Sequence, residues 1–125
     1  MMERKSILLV DDIGFILEFE TKVIESLEKD LGVKIDIDTA GSVEAAKDLI
    51  TGREYDVAIV DMNLPDGTGS DVVSIIREKG GRTRVAALTI YPERYEEDQG
   101  NFDAYFKKPI LPTVFKENLR ALLQL

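Results

Sequence analysis

Two adjacent carboxylates, Asp11 and Asp12, close the apolar run ILLV, and a third, Asp61, closes VAIVD in the middle of the chain. Thr89 ends VAALT, and Lys108 follows AYF by two positions. Carboxylates gathered in a dry site repel one another and either shift their pKa or reject the fold, so a positive partner is expected beside them. Oxygen donors with neither sulfur nor imidazole suit a hard cation, and a few carboxylates completed by water suit Mg2+ better than a dedicated calcium cage. The charges agree, because three carboxylates, one ammonium and a divalent cation leave the seat neutral before any anion arrives. A carboxylate at such an edge is also a nucleophile toward phosphorus when metal, lysine and hydrogen-bond donors neutralise the phosphoryl oxygens. Asp61 is the best placed of the three. The glycine-containing turn NLPDGTG behind it offers backbone amides to an anion and leaves Asp11 and Asp12 to hold the cation.

Residues so far apart in sequence meet only if a fold collects them. SILLV (6–10), VAIVD (57–61), VAALT (85–89) and AYF (104–106) are short apolar runs that read as buried strands, and KIDIDTA (34–40) alternates as a fifth. Phe15, Phe19, Val23, Leu27 and Leu31 recur at helical spacing and stop at Gly32, a C-cap glycine. Ser42 is placed to cap a helix running through Ile50. A third helix is expected from about Ser70 to Glu78, and a last one from Thr113 to about Leu123 that buries Val114, Phe115, Leu119, Leu122 and Leu123. Strands alternating with helices predict a doubly wound parallel α/β sheet covered on both faces. Right-handed crossovers then bring the carboxyl ends of the strands to one edge, which is where Asp11, Asp12, Asp61, Thr89 and Lys108 stand. The segment PERYEEDQGNFD (92–103) is poor in apolar residues and contains Gly100, so the fourth helix is expected to be short or irregular.

Composition narrows the chemistry further. The 125 residues, 44% hydrophobic, suit one domain over 1–125 with one core. Absence of cysteine and histidine excludes disulfides, thiol catalysis, imidazole bases and the usual zinc sites. A net charge of −8, from 24 acidic and 16 basic residues, argues against a direct nucleic-acid partner. No apolar run approaches the roughly 20 residues that span a bilayer, and MMERKS has no signal-peptide core, so a soluble cytoplasmic protein without a membrane partner is expected.

In LLVDD at 11 and 12, IVDMNLPDGTG around Asp61, LT at Thr89 and YFKKP ending in Lys108 and Pro109, the chain resembles the response-regulator receiver domains of two-component signalling, the CheY-like superfamily. The motifs run in the family's order over essentially the whole length, and together they are far more specific than any one alone. The resemblance implies a flavodoxin-like five-stranded sheet of order 2-1-3-4-5. It implies a phosphoprotein of a phosphorelay, in which Asp61 takes a phosphoryl group from a sensor histidine kinase or phosphotransfer protein. Mg2+ would be held by Asp11, Asp12, Asp61 and the backbone carbonyl of Asn63. Lys108 would contact the phosphoryl oxygens, Thr89 would hydrogen-bond them, Tyr105 would be the switch aromatic, and the Lys108–Pro109 bond would be cis. The signal would pass to a downstream protein or a fused effector. Such a domain catalyses its own phosphorylation and dephosphorylation without being a conventional turnover enzyme.

Two departures carry expectations of their own. Receivers often have a small residue after the threonine, whereas Ile90 and Tyr91 follow Thr89 here, and their bulk is expected to slow entry of small phosphodonors and of attacking water. The interval from Thr89 to Lys108 is a few residues short of the usual, which places an atypical output face in the 92–103 region. Taken singly, Asp12 could be a helix cap, Asp61 part of a surface turn, Thr89 and Tyr105 ordinary packing, and Lys107 with Lys108 a solvated pair; their coincidence at strand ends favours the site. The alternative function is a phosphorylation-independent interaction module with the same fold, one that could form a homodimer through the last helix and fifth strand. A Mg2+-dependent phosphohydrolase would share the aspartate nucleophile but lacks a general acid at Asn63.

Overall fold

A computed structural model of the chain describes residues 3–90 and 102–125. The elements in chain order are β1 (Arg4–Val10), α1 (Gly14–Leu31), β2 (Lys34–Ala40), α2 (Val43–Gly52), β3 (Val57–Asp61), β4 (Asn63–Leu64), β5 (Gly67–Thr68), α3 (Gly69–Glu78), β6 (Arg84–Thr89), β7 (Ala104–Lys107) and α4 (Pro112–Leu122). Five strands form a parallel sheet of order β2-β1-β3-β6-β7, the doubly wound order 2-1-3-4-5 counted over sheet strands. Tyr91 and residues 92–101 of the 92–103 segment expected to hold a short or irregular helix lie outside the described residues.

The sheet is buried on both sides because helices cover both. One face packs Leu8, Val10, Ala58 and Val60 against Ala46 and Ile50 of α2 and Val72, Val73 and Ile76 of α3. The other packs Ile7, Leu9, Ile59 and Leu88 against Ile24 and Leu27 of α1 and Phe115 and Leu119 of α4. β3 at the centre is buried at all five positions, which is why VAIVD reads as a continuous apolar run rather than an alternation.

Local chemistry sets the helix ends. The Ser42 hydroxyl accepts from the Ala45 amide at the start of α2. Thr68 and Asp71 form a reciprocal capping box at the start of α3. Gly32 ends α1 at φ +64°, a left-handed position that an L side chain resists, with its N–H donating to the Glu28 carbonyl. α1 itself is capped by Ile13 without any side-chain cap, so Asp12 is not spent as a helix cap.

Three expectations about packing are corrected. Along α1 the buried residues are Glu20, Ile24 and Leu27, and Phe15 is 71% exposed rather than part of the core stripe. Each four-residue step overshoots the 3.6-residue turn by about 40°, so a stripe extended back from Leu27 has rotated by about 120° at Phe15. In α4, Phe115, Leu119 and Leu123 are buried but Val114 is nearly half exposed. The NLPDGT stretch, expected only as a turn, forms the small antiparallel ribbon β4–β5, in which Asn63 pairs with Thr68 and Leu64 with Gly67.

Candidate functional site

Strand register brings the polar residues together. Val10 pairs with Ala40 on one side and Val60 on the other, Asp61 pairs with Leu88, and Thr89 pairs with Lys107. The residues at or just past these pairs, Asp11, Asp61, Thr89 and Lys108, therefore stand next to one another along the carboxyl edge of the sheet. The Asp11 amide donates to the Ala40 carbonyl at 3.0 Å and the Lys108 amide donates to the Thr89 carbonyl at 2.9 Å, which extends the ladder into the site. The Lys108–Pro109 peptide is cis.

The three aspartates each offer a carboxylate oxygen, and these oxygens lie within 4.8 Å of one another. Asp11 and Asp61 are buried, while Asp12 is exposed. Asp61 is anchored at both oxygens: Oδ1 accepts the Asn63 amide at 3.0 Å, and Oδ2 accepts from the Lys108 Nζ at 2.8 Å. Asp11 Oδ1 accepts the Ile13 amide at 2.9 Å, and the Lys108 ammonium lies 4.0 Å from Oδ2. Oδ2 itself is buried without a hydrogen-bond partner. Desolvation pushes the Asp11 carboxyl up from 3.8 to about 6; the Ile13 amide and Lys108 oppose that rise, and the charges of Asp61 and Asp12 add to it. A buried, unpaired carboxylate oxygen facing two further carboxylates fits an oxygen-seeking divalent cation.

Thr89 is buried at the end of β6. Tyr105 is half-buried in β7, its ring tilted against Phe102 with centroids 5.4 Å apart. Ile90 is 54% exposed and, with Phe15, Ile16, Phe19, Leu88 and Pro109, lines an apolar cleft of about 460 Å³ that reaches Lys108.

Sequence reasoning missed two residues of this region. Asp66, read as part of a turn, accepts from the Val43 and Glu44 amides at 2.7 and 3.0 Å, which ties the loop after Asp61 to the start of α2 and holds the Asp66 carboxyl below its usual range. Glu20, a polar residue on the core face of α1, is fully buried with both carboxylate oxygens unpartnered. Its only sequence signal is its position one turn before Ile24.

The response regulator receiver domain model matches residues 7–120. Response regulator protein PilR of Pseudomonas aeruginosa is 37% identical over 91 residues, 72% of this chain and 19% of PilR. The photosynthetic apparatus regulatory protein RegA of Rhodobacter capsulatus is 36% identical over 87 residues, 70% of this chain and 44% of RegA. The chain thus spans less than half the length of these curated relatives. Among solved structures, chemotaxis response regulator CheY4 of Vibrio cholerae matches with a TM-score of 0.81 at 25% identity, covering 98% of this chain and all of that one. Response regulator TrrA of Thermotoga maritima, solved with Mg2+ and beryllofluoride, matches with a TM-score of 0.76 at 30% identity, over 95% of this chain and 99% of that one.

Proposed function

The chain belongs to the response regulator receiver domain family, and we propose that within it the chain is a phosphoacceptor that relays a signal from a histidine kinase or phosphotransfer protein through Asp61. The observation that carries this reading is the Lys108–Asp61 contact beside two further carboxylates, an arrangement that neutralises the acceptor on one side and leaves the acidic pair for a cation.

In the proposed step an Asp61 carboxylate oxygen attacks the phosphorus of a phosphohistidine, the P–N bond breaks, and the imidazole leaves with its electron pair. Lys108 follows the phosphoryl oxygens as negative charge builds on them, and the Thr89 hydroxyl donates to one of them. Asp11, Asp12, Asp61 and the Asn63 carbonyl would hold Mg2+, which would neutralise phosphoryl charge. Tyr105 reports occupancy by changing its packing against Phe102. Ile90 and Tyr91 slow the return of water to the acyl phosphate. That TrrA was solved with Mg2+ and beryllofluoride supports binding of Mg2+ by this chain. The domain is read as a single unit over residues 1–125 acting in the cytoplasm on a downstream protein or a fused effector. No helix among the described residues is long and apolar enough to cross a membrane.

Incubation with Mg2+ and acetyl phosphate, read by intact mass, tests the reading. The expected result is one added phosphoryl group that requires Mg2+ and is absent from Asp61→Ala. Unmodified wild-type protein, with no response to beryllofluoride, would instead favour a phosphorylation-independent interaction module.

A further inference from the structure

Glu20 is a fully buried acid that this chemistry leaves unused. It is 0% exposed, and neither carboxylate oxygen has a hydrogen-bond partner. An ionised carboxylate in that setting is far more costly than a neutral acid, so the side chain rests protonated. The charges that reach it through the interior are those of Asp11, Lys108 and Asp61, the residues of the acidic site, and it forms no hydrogen bond or ion pair with any of them. Several charges on the elements packed against α1 are engaged elsewhere. Lys116 of α4 bonds Ser26 and Asp30, Lys34 of β2 pairs with Glu28, and Asp36 and Asp38 of β2 face Arg53. Among the described residues, the charges that act on Glu20 are therefore those of the acidic site.

We propose that Glu20 is a proton-linked member of the acidic site: a divalent cation settling on Asp11, Asp12 and Asp61 makes Glu20 release its proton, and a phosphoryl group on Asp61 draws one back. The inference rests on reading the three aspartates as a cation seat. Burial is the main reason that Glu20 stays neutral, and the negative charges of Asp11 and Asp61, which Lys108 only partly offsets, add to it. A divalent cation cancels the repulsion from Asp11 and Asp61, so the Glu20 O–H bond breaks more readily, its proton passing to solvent, and the carboxylate left behind feels Lys108 against burial alone. Coupling of this kind is reciprocal, so ionised Glu20 raises cation affinity by the same factor that the cation promotes its ionisation. Burial lifts the Glu20 carboxyl to about 8, with repulsion from Asp11 and Asp61 adding to the rise and Lys108 opposing it, which sets the linkage at and just above neutral pH.

Calorimetric titration of wild type and Glu20→Gln with MgCl2 at pH 8, in two buffers of different ionisation enthalpy, counts the protons released. Wild type is expected to release a fraction of a proton per cation and to bind Mg2+ about fivefold more tightly at pH 9 than at pH 7, the low end of usual site-to-site coupling. Glu20→Gln is expected to show neither effect. Mg2+ binding with the same proton release in both proteins, or with none in either, overturns the proposal alone. Absence of Mg2+ binding by wild type overturns the cation seat and the proposal with it. Carboxyl 13C resonances of wild type give a readout independent of the variant: the Glu20 signal is expected to move toward the ionised position on adding Mg2+, and a stationary signal overturns the linkage.

Discussion

The Lys108 ammonium stands 2.8 Å from Oδ2 of Asp61 and 4.0 Å from Oδ2 of Asp11, so a single cation satisfies one buried carboxylate and only partly screens the other. Removing it leaves both acids unneutralised in a largely dry pocket. Breaking a fully buried pair costs about 3–5 kcal/mol, and the 21% exposure of Lys108 places Lys108→Met lower, near 2 kcal/mol at neutral pH. Urea unfolding with and without MgCl2 checks this. The variant is expected to lose midpoint relative to wild type and to regain more of it on adding Mg2+, because the cation takes over the missing charge. An unchanged midpoint would mean that the pair is relaxed by water.

Glu20 predicts an unusual pH profile for stability. Its carboxyl is raised from 4.5 to about 8 in the folded chain, so between those values the folded state keeps a proton that the unfolded state gives up. Stability from this group is therefore highest below pH 4.5 and falls as pH rises toward 8, the reverse of a paired carboxylate. At pH 7 the penalty reaches at most about 3 kcal/mol. Glu20→Gln is expected to flatten that slope, so the gap between variant and wild type moves in the variant's favour from pH 5 to pH 8. Parallel urea midpoints across that range would contradict the assignment.

Four of the sheet strands were legible as short apolar runs ended by polar residues and the fifth, KIDIDTA, as an alternation, whereas their order came from the family resemblance; the site was legible because the strand ends are where Asp11, Asp61, Thr89 and Lys108 occur. What stayed hidden depends on rotation and on long-range contact. Phe15 fits a four-residue stripe on paper yet points to solvent once the helix turns by its true period, whereas Glu20, polar by type, occupies the core face. Asp66 caps α2 from 23 residues downstream of Val43, a contact that no local window contains. The β4–β5 ribbon is too short for an alternation to register.

Ile90 is the residue proposed to limit access from the apolar side. It lines the cleft that reaches Lys108 and presents its side chain there instead of packing in the sheet. Ile90→Ala opens that side to water, so loss of the phosphoryl group from Asp61 is expected to accelerate by roughly threefold to tenfold, about 1 kcal/mol in barrier. The decay of phosphorylated protein followed by intact mass decides it. A rate equal to wild type would assign the barrier elsewhere and leave Ile90 as a surface contact.

Gly69 is the point where α3 meets the acceptor loop. A Cβ there would stand 2.8 Å from the Met62 sulfur, 3.0 Å from the Asp61 carbonyl oxygen and 3.2 Å from a Val60 methyl. The sulfur sits on an adaptable side chain, but the Asp61 oxygen belongs to the backbone that orients the acceptor, and the Gly69 amide already donates to the Met62 carbonyl next to it. Gly69→Ala is thus an overpacking change, expected to cost about 1–3 kcal/mol, even though alanine is the better helix former. Relaxation of the backbone contact moves Asp61 relative to Lys108. Beryllofluoride binding is therefore expected to weaken more than the midpoint alone predicts, as read by comparing variants of equal stability with substitutions far from the site. Binding that tracks stability alone would mean that Met62 yields and the acceptor backbone does not.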